Sequence, residues 1–284
     1  MLGIAWIGGA AAPLRPSCER KALVETDLRT ASLSRHAPEA HRLRRLNLYA
    51  GLLHALQGAA MLVLAGGLTL PVTATFATAQ PGQAVDPARL STLFSYPLGP
   101  AVAAFSLLSA AFHFLAASPW GYPRYVAELA AHRNRFRWVE YSLSASLMIV
   151  LVAGITGISD VAALLALFGV NASMILFGWL METTSRPGMA TSWTPFVFGS
   201  IAGAVPWIAI TIYLAGAGDG MPGFVYGIFG SIFVLFNCFA VNQWLQYRAR
   251  GRWRDYLHGE RVYIALSLVA KSLLAWQIYA NVLV

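Results

Sequence analysis

Charge is scarce in this chain. Only 11% of its 284 residues are Asp, Glu, Lys or Arg, and 57% are hydrophobic, whereas a soluble domain carries about 25% charged and about 45–50% apolar residues. So few charges cannot solvate a globular surface, which excludes a soluble protein, and so much apolar residue excludes a disordered one. Cysteine is nearly absent: Cys18 and Cys238 cannot form the framework of a disulfide-stapled fold. Lysine is rare for a basic protein, with two against 18 arginines. The period-two alternation of a membrane barrel is missing, as is any strong internal repeat of the inverted-repeat transporter kind.

What is present is a series of apolar runs of spanning length, about 20 residues each. They fall at about 46–67, 98–117, 138–158, 161–181, 193–214, 223–246 and 261–283. The sequence therefore predicts an all-α membrane protein, a seven-transmembrane-helix bundle with no room for a separate soluble enzyme domain. Only Ser159-Asp160 separates the third run from the fourth, so these two form an antiparallel helical hairpin. The segments on one side of the membrane hold 18 of the 20 basic residues, and Arg89 alone lies in the loops of the other. By the positive-inside rule the N-terminus is cytoplasmic and the C-terminus external, in a multi-pass protein of the cell membrane. The net charge of +8 then lies against anionic lipid headgroups and calls for no nucleic-acid partner.

Residues 1–42 read as a cytoplasmic N-terminal extension, partly disordered, and 43–284 as the transmembrane domain. The apolar start lacks the cationic segment of a secretory signal; an initiation site downstream of Met1 is the alternative for this stretch. Pro81 to Ser95 is the longest external loop and is expected to carry short structure of its own.

Lys21 lies in the N-terminal extension, but Lys271 lies in the middle of the seventh run, ERVYIALSLVAKSLLAWQIYANVLV, eleven residues from Glu260. At ~1.5 Å per residue that is near the bilayer midplane, too deep for snorkelling. A cation there costs ~2.5–3.5 kcal/mol on insertion scales. Unlike arginine, lysine is an amine that loses its proton when buried and attacks carbonyls. Three readings follow: a cation in a transport pathway, a Schiff-base lysine holding an aldehyde cofactor, or a lysine paired with a carboxylate to hold helices together.

The third span reads RWVEYSLSASLM and the seventh SLVAKSLLAWQIYAN; the first contains LHALQG and the second LLSAAFHF. Together with a cytoplasmic N-terminus, these segments resemble the heliorhodopsins, a rhodopsin family inverted in the membrane relative to the microbial pumps. The resemblance runs from about Arg44 to Val284 and touches all seven spans. It implies all-trans-retinal held as a protonated Schiff base on Lys271, and a homodimer.

Glu140 is the only carboxylate inside a predicted span. As an interfacial acid it would pair with Arg137 at i, i+3. As counterion it would favour the charged imine on Lys271, and the resemblance implies this role. Counting depth leaves Glu140 ~12 Å from the span centre, short of Lys271, unless the third helix begins nearer Glu128. Ser144 follows Glu140 by four residues and Ser267 precedes Lys271 by four, so each shares a helix face with its charged neighbour; Ser142 faces away and reads as packing. His54 and His113 are the only histidines within spans, with Gln57 on the face of the first and Ser109 on the face of the second. All four fall in the same half as Glu140 and are read as a polar pocket able to accept a proton from the imine. No third ligand at suitable spacing supports metal binding there. The resemblance further implies that Asn171, Met174, Ile175, Trp207 after Pro206, Phe236 and Trp276 contribute to the retinal pocket.

A pump needs proton groups on both sides of the imine. In the pump rhodopsins an Asp sits one turn before the lysine, where this chain has Ser267, and no carboxylate lies in the external halves of the spans. The expected function is therefore a light-sensing photoreceptor, not an enzyme, with a non-transporting photocycle and a cytoplasmic signalling partner of unknown identity. A light-driven pump or channel and a light-independent scaffold are the alternatives.

Overall fold

The computed structural model describes residues 17–76, 90–185 and 190–283, with side chains from Glu39 onward apart from Asp219. Seven helices are long and apolar enough to cross a membrane, at Glu39–Leu64, Leu98–Ala117, Arg135–Ile155, Val161–Thr184, Thr194–Ala217, Gly223–Tyr247 and Tyr256–Leu283. The first belongs to a longer helix, α1 (Ser17–Leu64). Residues 17–42 of the expected extension are thus helical, and 1–16 lie outside the described residues. The other spans are α2 (Leu98–Ala117), α4 (Arg135–Ile155), α5 (Val161–Thr184), α6 (Thr194–Ala217), α7 (Gly223–Tyr247) and α8 (Tyr256–Ile278), the last finishing in a π-turn over Tyr279–Leu283. A short helix, α3 (Tyr122–Ala130), crosses between α2 and α4.

The bundle reverses the pattern of a soluble protein. Large apolar side chains face outward, among them Val63 at 82% and Leu165 at 72% exposure, where acyl chains rather than water meet them. Polar groups turn inward: His54, Ser106, Ser109, Glu140, Ser144 and Lys271 are all buried. Without a hydrophobic force between helices in lipid, close packing and interhelical hydrogen bonds hold such a bundle together. Helix α1 packs on α2 and α8, α4 on α2 and α5, α5 on α6, and α7 on α8. Pro206 lies buried inside α6, which runs through it.

Two expectations are corrected by the backbone. The third span does not begin near Glu128, because that residue belongs to α3. The chain reverses through His132, at φ 53°, before Asn134 caps α4 by accepting from the Arg137 N–H at 3.1 Å. The α4–α5 break is longer than Ser159-Asp160: α4 stops at Ile155, Gly157 takes φ +99°, and Asp160 caps α5 from outside it. The short structure expected between the first two spans is a strand pair, which begins upstream of the expected loop, at the end of the bundle away from the arginines. Strands β1 (Thr69–Thr75) and β2 (Leu90–Pro97) run antiparallel with a bulge between Val72 and Thr73. Their β-branched and aromatic residues suit a pleated surface. Of the expected loop, residues 81–89 lie outside the described ones. Thr73 ties the pair to the α4–α5 connection, its N–H donating to Ser159 O at 2.8 Å.

Candidate functional site

The site is built between α4 and α8. Lys271 Nζ lies 2.5 Å from Glu140 Oε1 and 2.9 Å from Ser267 Oγ. Lysine and glutamate are 3% and 5% exposed in their side chains, so neither charge is solvated and each depends on the other. The reach that depth counting denied comes from two features. Asn134 Nδ2 donates to Glu260 Oε2 at 2.6 Å, which sets the start of α4 level with Glu260 on α8. From there Glu140 is six residues on, ~9 Å, and Lys271 eleven, ~16 Å. Helical side chains tilt back toward their own N-terminus, and Nζ beside Ser267 sits a turn back, ~6 Å lower. The two groups therefore meet without a longer α4.

The carboxylate is held by hydroxyls. Ser109 of α2 and Ser144 of α4 donate to Glu140 Oε1 at 2.6 and 2.7 Å. The ammonium also lies 5.1 Å from the centre of the Tyr141 ring, itself anchored by its hydroxyl on Tyr263 O at 2.8 Å. His54 and His113 stack with centroids 5.6 Å apart. His113 Nδ1 lies 2.7 Å from Asn47 Oδ1. Because Asn47 Nδ2 donates to Leu43 O at 2.9 Å, its oxygen faces the imidazole and Nδ1 carries the proton. Gln57 instead donates to Ser272 Oγ at 2.6 Å, joining α1 to α8 on the face next to Lys271. Ser142 bonds back to Val139 O at 2.9 Å, a packing position as expected.

Lys271 also lines an apolar cavity of about 130 Å³, with the mainly apolar and aromatic lining usual for small-molecule sites. Met174, Ile175, Phe236 and Ser267 share its wall, with Trp138, Tyr141, Phe239 and Tyr263 as aromatic members the sequence did not single out. Gly178 also lines it; a Cβ there would fall 2.4 Å from the Trp138 ring, so the indole sits where only glycine permits. A primary amine on the wall of an apolar, aromatic cavity, backed by one carboxylate, fits a long polyene aldehyde attached at Nζ. Three of the expected wall residues lie elsewhere. Asn171 bonds Ser146 Oγ at 3.0 Å between α5 and α4. Trp207 packs edge-on against Phe229, Phe233 and Phe236 of α7, at 5.2 to 5.6 Å. Trp276 is 41% exposed and meets Tyr279, because it lies ~140° round α8 from Lys271.

The pairing of Glu140 with Arg137 does not occur, and Glu140 is not the only buried carboxylate. Arg137 turns to Glu182 of α5, at 2.8 Å, and to Glu260 of α8. All three side chains are buried. Trp138 Nε1 and Tyr256 OH also donate to Glu182. Both acids lie just outside the predicted spans because the fourth and seventh membrane helices each extend beyond their apolar run. The signal available was topological: Arg137 and Glu260 near the start of their helices and Glu182 near the end of an antiparallel one fall at the same end of the bundle. Asn47 was legible too, two turns before His54 on one face.

The architecture is shared with rhodopsins. The chain superposes on a crystal structure of the light-driven proton pump LR (Mac) from Leptosphaeria maculans with a TM-score of 0.56 over 84% of this chain and 94% of that one, at 13% identity. That identity is low enough that the likeness speaks for the fold alone. No curated protein matches the chain. The sequence model of the family described as Heliorhodopsin matches residues 43–283, and the chain belongs to the heliorhodopsin family. As such it is a light-responsive, retinal-binding membrane protein.

Arg137 provides a test of how the site is held. In Arg137→Gln two buried carboxylates lose their cation, at a cost of about 3–5 kcal/mol, so the unfolding temperature in detergent should fall sharply. Arg124→Gln, at an exposed arginine, should leave it nearly unchanged. Equal unfolding temperatures for Arg137→Gln and the parent would deny the cluster a structural role.

Proposed function

We propose that this protein is a light sensor whose photocycle transports nothing, with all-trans-retinal bound as a protonated Schiff base on Lys271 and Glu140 as its counterion. The observation that carries the reading is the 2.5 Å contact between Lys271 Nζ and Glu140 Oε1 on the wall of the apolar cavity. Retinal supplies visible absorption and a light-driven change of shape. Lys271 supplies the amine for attachment. Glu140 neutralises the positive charge at Nζ, and Ser109 and Ser144 keep the carboxylate ionised and aimed. Ser267 also accepts from Nζ. The Asn47–His113–His54 group lies next to Glu140 as a polar pocket that admits a proton released there to the arginine-rich half of the bundle, with Ser109 beside it. Among the wall residues Met174, Ile175 and Phe236 shape the cavity, with Trp138, Tyr141, Phe239 and Tyr263. Asn171, Trp207 and Trp276 act at most through the packing around it.

The absence of transport is supported by position. The buried carboxylates among the described residues, Glu140, Glu182 and Glu260, all lie toward the arginine-rich end, and the turn before Lys271 offers Ser267. Among the described residues the other half of the bundle has no buried acid to carry a proton onward. The distribution of arginine supports a cytoplasmic N-terminus, which turns the proton-bearing half toward the cytoplasm. The output is then regulatory rather than enzymatic, passed to a cytoplasmic partner by a homodimer in the membrane, with residues 43–284 as the retinal-binding domain and 1–42 as an appended segment.

Three measurements check this reading. Purified protein given all-trans-retinal should acquire a visible band, and Lys271→Ala or Lys271→Arg should lose it, since neither forms the imine. A visible retinal band in Lys271→Ala would remove the central claim. Illuminated vesicles should show no sustained pH change; a shift abolished by a protonophore would establish pumping instead. In Glu140→Gln the loss of the negative charge should shift the visible band to longer wavelength. The pH at which that band gives way to near-ultraviolet absorption should also fall, by about 1–3 pH units. An unchanged spectrum and titration in a folded variant would refute the counterion while leaving Lys271 in place.

A further inference from the structure

The buried charges of the site do not balance. Glu140 is matched by Lys271, but Arg137 alone faces both Glu182 and Glu260. An uncompensated negative charge in a buried site is costly, and one added proton removes it. The two acids on Arg137 are not equivalent. Glu182 accepts from Arg137 Nη2 at 2.8 Å, the Asn134 N–H at 2.9 Å, Tyr256 OH at 2.8 Å and Trp138 Nε1. Those four donors take up the roughly four acceptor sites of its two oxygens. Glu260 accepts only from Arg137 Nη1 and from Asn134 Nδ2.

Glu260 also has a route to the lysine site. It borders a small cavity of about 30 Å³ whose wall includes Glu140, His113, Asn47 and Arg137. A space of this size holds water. His113 is only 8% exposed, and its Nε2, on this wall, has no hydrogen-bond partner in the described structure.

We propose that Glu260 holds the proton released at the Lys271–Glu140 site, receiving it from Glu140 across this cavity. The inference rests on the proposed retinal linkage at Lys271. In the transfer the O–H bond at Glu140 breaks as one forms at Glu260, with a bridging water accepting one proton and giving up another. No electrons are exchanged. Glu140 returns to a carboxylate, and Arg137 is left balanced by Glu182. The other titratable groups around Glu260 are the phenols of Tyr256 and Tyr263 on its own helix, Tyr125 on α3, Tyr141 on α4 and Tyr247 on α7. Phenols are neutral below about pH 10, so across the cavity only the His113 imidazole competes for the proton.

Infrared spectroscopy tests the assignment with and without retinal. In the pigment, a carboxylic-acid C=O stretch should appear during the near-ultraviolet-absorbing phase of the photocycle. It should be lost in Glu260→Gln and moved in frequency in Glu260→Asp. In retinal-free protein, acidification should raise a C=O stretch with the same two responses. Survival of both bands in Glu260→Gln would overturn the proposal, as would light-induced protonation seen only at histidine. Should Glu260→Gln not fold, an unshifted band in Glu260→Asp overturns it equally. A wild-type protein that gains no visible band with retinal would defeat the proposed function, and the retinal-free titration would still decide whether Glu260 takes the proton.

Discussion

An ammonium group deep in a hydrocarbon slab must find an anion, and most of this bundle follows from that need. Lys271 cannot snorkel, so a carboxylate has to be brought to it, and the carboxylate in turn needs donors. Ser109 and Ser144 supply them from α2 and α4, which fixes the rotation of both helices. The start of α4 must then sit level with Glu260, and Asn134 and Arg137 bind that glutamate while capping and anchoring the helix. A single deep charge therefore sets the rotation and depth of three helices and a polar core that a bilayer would otherwise disfavour.

That polar core is one-sided. From Lys271 toward the arginine-rich end the interior is lined by acids, imidazoles, hydroxyls and one guanidinium. Beyond it lie the apolar cluster of Met61, Leu98, Ile149, Leu274 and Ile278 and the strand pair. Such a division suits a molecule that moves a proton locally and returns it. The aromatic cavity lies beside Lys271, with Trp138 facing it while its indole N–H reaches Glu182. One side chain thus touches both the cofactor cavity and the buried ion cluster.

The sequence made the seven spans legible because bilayer thickness imposes a length and a polarity that composition reveals directly. Lys271, Glu140, Ser144 and Ser267 were legible because a charge in an apolar run has few explanations and the i±4 spacing places its neighbours. Glu182 and Glu260 escaped because both sit where a helix outlasts its apolar run, and hydropathy cannot separate a helix end in water from one folded inside. The depth of Glu140 was misjudged because counting from the span start takes every helix to begin at one plane. Asn134 and the separate α3 show that the start of α4 is set by a side-chain contact instead. Trp276 was carried in by resemblance although its angle on α8 already pointed away.

Two of the three buried ion pairs among the described residues join α4 to α8: Glu140 to Lys271, and Arg137 to Glu260. Helix α8 leaves the ribosome after the other six spans. Until it arrives, α4 holds a carboxylate with no cation, and α8 on its own carries a lysine that lipid rejects at ~2.5–3.5 kcal/mol. Membrane insertion of α8 and closure of the bundle are thus one event, and a chain stopped short of Tyr256 would expose unmatched charge to the quality-control machinery of the membrane.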